Sequence, residues 1–210
     1  MPLYSRRDNR ILFIHIPKTA GSSITSAFRK ACYVVQYLNE PARTGTRDKK
    51  PCNPQHYHAE LIKEKILPEC KWFDFTYQFA ITREPLQRLF SEFDWRLPHH
   101  KSQNKNKYYT QFEQWALHML EERKHNPYVG DNHMRPQSEF IMPDVDVFDI
   151  SELALLQAHL NKYGIHNIPR VNVTAKQPRP QTYQASNKFI DAFYDAYLVD
   201  YEQLGYTKPF

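Results

Sequence analysis

The first residues with chemistry to offer lie in the run HIPKTAGSS at positions 15–23. Lys18 supplies a cation, Thr19, Ser22 and Ser23 supply hydroxyl donors, and Ala20 and Gly21 add backbone N–H groups with little side chain in the way. The run follows a short apolar stretch, ILFIHI, and precedes Ile24, Ala27, Phe28 and Ala31 at helical spacing. A turn of small residues between a strand and a helix directs consecutive N–H groups at one point, which suits a phosphate or a similar tetrahedral anion. An ordinary turn with an N-cap is the alternative reading of the same residues. The order is not that of a nucleotide-triphosphate loop, GxxxxGK[ST], because Lys18 precedes Gly21 instead of closing the loop. A second run, ITREPLQRLFSEF, sets Arg83 at the tip of another apolar stretch and Ser91 eight residues on. Between the two runs, HYHAEL contributes His56 and His58.

These residues need a frame, and the periodicity predicts one. Ile11 to Ile16, Tyr33 to Leu38, Tyr77 to Thr82, Val145 to Phe148 and Ile168 to Val173 read as strands. Helical spacing joins His58, Leu61, Ile62 and Ile66. It also joins Leu86, Leu89, Phe90 and Phe93, then Phe112, Trp115, Ala116, Met119 and Leu120. Ser151 is the expected cap of a helix from Glu152 to Tyr163 that ends at Gly164, and a last helix carries Phe189, Ile190, Phe193, Tyr194 and Tyr197. The polar segments Asn39 to Gln55 and Leu97 to Lys107 read as exposed loops. Strands alternating with helices predict an α/β fold with a central parallel sheet flanked by helices, a three-layer sandwich. No linker divides the chain, so residues 1–210 are expected to form a single domain.

The composition narrows the partners. A formal charge of +5 arises from Lys and Arg scattered along the chain, which suits a polyanionic small ligand and does not require nucleic acid. Cys32, Cys52 and Cys70 are an odd number at wide spacing and read as reduced thiols. The N-terminal MPLYSRRDNR has no leader character, no apolar run is long enough to span a membrane, and a cytoplasmic setting is expected. No carboxylate or Cys/His set has metal-ligand spacing, so no metal is expected.

KTAGSS after a strand ending HIP resembles the 5′-phosphosulfate loop of the carbohydrate sulfotransferases that include heparan sulfate 2-O-sulfotransferase and its bacterial relatives. Arg83, Pro85 and Ser91 match the family's second element, although Glu84 stands where the family has Asp. The resemblance implies a P-loop-like fold and 3′-phosphoadenosine 5′-phosphosulfate (PAPS) as sulfuryl donor. It places Lys18, Thr19, Ala20, Gly21, Ser22 and Ser23 on the 5′-phosphosulfate, and Arg83 and Ser91 on the 3′-phosphate. It also makes the acceptor a hydroxyl on a carbohydrate. His58 matches the second His of the family's catalytic segment and is expected to deprotonate the acceptor, with Lys18 assisting the leaving group and His56 as the second choice for the base. NHMRPQSEFI, RVNVT and DYEQLGY resemble further segments of the relatives, and Asn172 and Thr174 fall where those relatives close over the cofactor. His133, Arg135 and Gln137 either face the acceptor or pin a loop, and Lys176 and Arg179 are cationic candidates or surface charge. Trp95, Tyr108, Tyr109 and Trp115 either stack on sugar rings or fill the core, and core is the expectation. A P-loop-like kinase or hydrolase and a non-catalytic anion-binding module are the rival functions.

Overall fold

The computed structural model describes residues 1–37, 51–68, 71, 74–97, 105–171 and 183–210. Cys70, Asn172, Thr174, Lys176 and Arg179 lie outside the described residues. The chain divides into two compact units, Met1–Arg83 with Glu139–Asn172, and Glu84–Ser138 with Val173–Phe210.

The first unit holds a five-stranded sheet made of β1 (Leu3–Arg6), β2 (Asn9–Ile14), β3 (Val34–Gln36), β4 (Tyr77–Thr82) and β5 (Asp146–Asp149), in the order β3-β1-β2-β4-β5. The sheet is mixed and not parallel throughout. β2, β4 and β5 are parallel, while β1 pairs antiparallel with both β2 and β3. The apolar stretch that looked like the start of the fold is therefore its centre. β1 hides in the charged N-terminus because only four residues pair, and the chain reverses at Arg7, whose φ is 51°. β3 is likewise shorter than the apolar run predicted, as suits an edge strand.

Alternation decides which face each side chain serves. Ile11, Phe13, Phe79, Ile81 and Phe148 point to one side and meet Ile24, Ala27 and Phe28 of α1 (Gly21–Lys30) and Leu156 and Leu160 of α5 (Leu153–Leu160). Leu12, Ile14 and Ala80, on the other side, are also fully buried, so both faces of the central strands are covered. Each fully buried Phe contributes about 1.5–3 kcal/mol. Tyr4 anchors α1 to the sheet: its ring stacks on Phe28 at 4.0 Å and its hydroxyl meets Thr25 Oγ1 at 2.9 Å.

Two expectations fail for local reasons. The helix after β5 is capped by Asp149, not Ser151. The Asp149 carboxylate accepts from Ser151 N at 2.8 Å and the Glu152 carboxylate accepts from Asp149 N at 2.8 Å, which opens a 3-10 turn at Ile150–Glu152 before α5. The end at Gly164, with φ 78°, is as expected. Residues 168–171 form no strand, because the Val171 N–H donates to Ser23 Oγ at 3.1 Å instead of to a ladder.

The second unit is helical: α3 (Pro85–Arg96), α4 (Lys105–His125) and α6 (Asn187–Leu204). In the first unit, α2 (Ala59–Lys65) completes the set. The aromatic seam of the second unit runs through Phe90 and Phe112, whose rings stack at 3.9 Å, to Phe189 and Phe193. Tyr108, Tyr109 and Trp115 join it, so the core expectation holds for these three. It fails for Trp95, which is 56% exposed. The backbone of the loop carrying His133, Arg135 and Gln137 is pinned from outside: Arg88 donates to the His133 and Arg135 carbonyls at 3.0 and 2.6 Å, and Asp200 accepts from Gln137 N at 2.8 Å, while the His133 and Arg135 side chains turn to Glu92 and Asn132, each at 2.7 Å.

Burial pushes the Tyr197 phenol from 10.0 up to about 12 and raises Tyr4 as well, against the hydrogen bond with Thr25. Unfolded tyrosines ionise near pH 10, so the folded state holds these protons longer. The stability this gives is complete below pH 10 and is lost as pH climbs toward 12. Thermal melts across that range are expected to fall steeply, with Tyr197 alone accounting for on the order of 2–3 kcal/mol. Tyr197→Phe is expected to flatten the fall even though it gives up the bond to the Met134 carbonyl.

Candidate functional site

Parallel pairing of β2 with β4, in register Phe13↔Phe79, brings the carboxyl ends of the two strands together. From β2 the chain leaves through α1 toward β3 on one side of the sheet, and from β4 it continues toward β5 on the other. The crevice above this divergence is where open α/β sheets hold ligands. Both predicted anion elements end there. The Arg83 guanidinium reaches to 3.5 Å from the Lys18 carbonyl, tying the second element to the first.

The turn itself is shaped for close approach. Lys18 and Ala20 take left-handed φ values of 70° and 71°, a conformation that costs a non-glycine residue roughly 1–2 kcal/mol, and they alternate with Thr19 and Gly21, which do not. Such alternation points successive N–H groups into one concavity. At the start of α1, the N–H groups of Ser23 and Ile24 bond the Ala20 carbonyl at 2.9 and 3.1 Å, while those of Gly21 and Ser22 precede any intrahelical acceptor. The side chains divide their work. Thr19 is fully buried and donates to the Ile16 carbonyl at 2.7 Å, so its hydroxyl braces the loop from inside. Ser22 is exposed, Lys18 is half-buried, and the buried Ser23 hydroxyl accepts from Val171 N and retains its own proton to donate.

Gly21 is required by contact. A Cβ there would lie 1.8 Å from His15 Nε2, because the His15 ring rests directly over the first residue of α1. His15 is held by stacking on Phe13 at 5.4 Å and by an edge contact with His56 at 5.1 Å. His56 sits in a 3-10 turn at Pro54–His56, opened by the Asn53 side chain, and its carbonyl accepts from Cys52 Sγ at 3.7 Å. The structure thus joins His15, His56 and Gly21 into one cluster. His58 is the N-cap residue of α2, is 2% exposed, lies edge-on to Phe140, and has Nε2 at 3.7 Å from the Glu60 carboxylate.

A groove of about 550 Å³ runs along α1 from this cluster, lined by His15, Gly21, Ser22, Thr25, Arg29 and Gln55. Lys30 adds a second cation beside Arg29 at its far end. Sequence reasoning passed over His15, Gln55, Arg29 and Lys30. Only the tight glycine six residues after a strand-borne His hinted at the first of them. In the second unit, Ser91 lies half-buried on α3, and Glu84 caps that helix by accepting from Leu86 N and Gln87 N at 3.0 and 2.7 Å. Glu84 also receives a hydrogen bond from Tyr201, whose phenol is raised by burial and by that carboxylate.

A family model described as the Sulfotransferase family matches residues 2–207. Among curated proteins and among solved structures, none matches the chain.

The contact over Gly21 makes a stability prediction. Gly21→Ala is expected to cost about 1–3 kcal/mol by displacing a ring that is packed on its other sides. In a double-mutant cycle by chemical denaturation, His15→Ala is expected to recover much of that loss. Independent, additive losses would contradict the contact.

Proposed function

Because the chain belongs to the sulfotransferase family, we propose that it moves a sulfuryl group from PAPS to a carbohydrate hydroxyl, in the manner of heparan sulfate 2-O-sulfotransferase-like enzymes of bacterial type. The observation that carries this reading is the meeting of the Lys18 turn and Arg83 at the crevice between β2 and β4. A left-handed pair around Thr19, a glycine with no room for a Cβ, and a cation on each element fit a ligand with phosphates at both ends. Parallel strands with the anion turn at the end of β2 support a P-loop-like, three-layer fold, and the family match across both units supports one sulfotransferase domain over 1–210. Among the described residues no helix is long and apolar enough to cross a membrane. The thiols of Cys32 and Cys52 suit a reducing compartment, which supports a cytoplasmic setting.

Bound PAPS supplies an activated sulfuryl group on its 5′-phosphate. The amides of Ala20, Gly21 and Ser22 and the Ser23 hydroxyl hold the phosphosulfate oxygens, and Thr19 keeps the loop in shape behind them. Lys18 neutralises the charge that grows on the leaving phosphate as its bond to sulfur breaks, which makes a metal unnecessary for this step. Arg83 binds the 3′-phosphate, and Ser91 keeps the role the resemblance gives it. His58 takes the proton of the acceptor hydroxyl as the new sulfur–oxygen bond forms, releasing 3′-phosphoadenosine 5′-phosphate and the sulfated acceptor. The contact of His56 with His15 over Gly21 favours His56 as the second reading for the base.

Calorimetric titration is expected to show that 3′-phosphoadenosine 5′-phosphate binds at least roughly tenfold more tightly than ADP, with or without magnesium, and that Arg83→Ala removes the preference. Magnesium-dependent preference for ADP would turn the assignment to a kinase or hydrolase. With binding intact, His58→Ala is expected to lower turnover by about 10²–10⁴-fold. If His56→Ala does so instead, the base is His56.

A further inference from the structure

Glu84 is an unusual cap for α3. The side chains that cap best are short, because they reach the amides of the first turn with few rotors to fix, and Glu has a longer stem. Its carboxylate nonetheless accepts from Leu86 N at 3.0 Å through Oε1 and from Gln87 N at 2.7 Å through Oε2. A third donor completes the hold. Tyr201, near the end of α6, donates its hydroxyl to the same Oε1 from 117 positions away in sequence. Among the described residues the partners of this carboxylate are those two amides and the phenol, all within the second unit, and none is a cation.

The phenol is fixed more firmly than the carboxylate it meets. Tyr201 is buried, with its ring set edgewise to Phe193 and Tyr194 at 6.0 Å each, whereas Glu84 is half-buried. Burial, and then the Glu84 charge, raises the Tyr201 pKa, so the hydroxyl keeps its proton and stays a donor. The residue that precedes Glu84 in the chain shows what such a restraint is for. Arg83 is a half-buried cation, and opposite charges on adjacent long side chains attract, so rotation of the Glu stem would suffice to pair them. That pair would compete with a phosphate, because carboxylate and phosphate take the guanidinium through the same N–H fork. A hydroxyl suits the task, since it holds a carboxylate without adding a charge of its own beside the anion.

We infer that Tyr201 is a positioning residue for nucleotide selectivity: its hydroxyl keeps the Glu84 carboxylate on the cap of α3 and so keeps it from competing with the 3′-phosphate for Arg83. The inference rests on the reading of Arg83 as the 3′-phosphate ligand and adds to it a residue that acts through Glu84. It is tested on the full chain by calorimetric titration with 3′-phosphoadenosine 5′-phosphate and with adenosine 5′-phosphate, which differ only in the 3′-phosphate. The wild type is expected to prefer the bisphosphate. Tyr201→Phe is expected to lower that preference about fivefold, the size of one part-exposed ion pair, with the affinity for adenosine 5′-phosphate unchanged. In a Glu84→Gln background, where no charge is left to pair with Arg83, the same Tyr201→Phe change is expected to leave the preference as it was. A preference undiminished by Tyr201→Phe, in a wild type that shows one, would overturn the inference and leave the Arg83 reading standing. An equal loss with and without Glu84→Gln would also overturn it, because Tyr201 would then act through the fold alone. Absence of any preference for the bisphosphate in the wild type would overturn the Arg83 reading and the inference together.

Discussion

Parallel pairing of β2 and β4 is the constraint on which the site depends. Neither the HIPKTAGSS turn nor Arg83 is informative alone, since each is a polar loop after a strand. The register Phe13↔Phe79 makes them neighbours, and the chain leaves the ends of the two strands in opposite directions. The rest of the first unit holds that register. Tyr4 and Phe28 fix α1 on the sheet, and the antiparallel β1 protects the flank of β2 that would otherwise be an edge.

The turn illustrates how a loop can be stiff without regular structure. Left-handed backbone at Lys18 and Ala20 is unfavourable for residues with a Cβ, and it persists because neighbours over-determine it. Thr19 ties the loop inward to Ile16, Ala20 accepts two amides of α1, and His15 covers Gly21. An anion meeting these groups finds them already arranged, so little reorganisation opposes binding.

The parts legible in the sequence are those governed by local rules. Helical periodicity located α3, α4 and α6, and the small residues of positions 18–23 marked the turn between β2 and α1. What escaped depends on partners distant in the chain. Leu3–Arg6 is a strand only because β2 and β3 lie on either side of it. Val171 leaves the ladder because a serine 148 residues away takes its N–H. The hydroxyl of Thr19 reads as a ligand donor until its burial turns it into a brace. His15 looked like the polar end of a strand, and only the distance to Gly21 shows why those two residue types occur together.

The hydrogen bond from Val171 N to Ser23 Oγ has a thermodynamic corollary. The Ser23 hydroxyl oxygen holds Val171, at the end of the described segment, and the hydroxyl keeps a proton it can donate. Whatever engages that proton polarises the oxygen and strengthens its hold on Val171. By linkage, if an anion occupies the turn as proposed, the segment favours that occupancy by the same free energy with which occupancy favours the segment, so a substitution confined to 165–171 would be felt as a change in anion affinity.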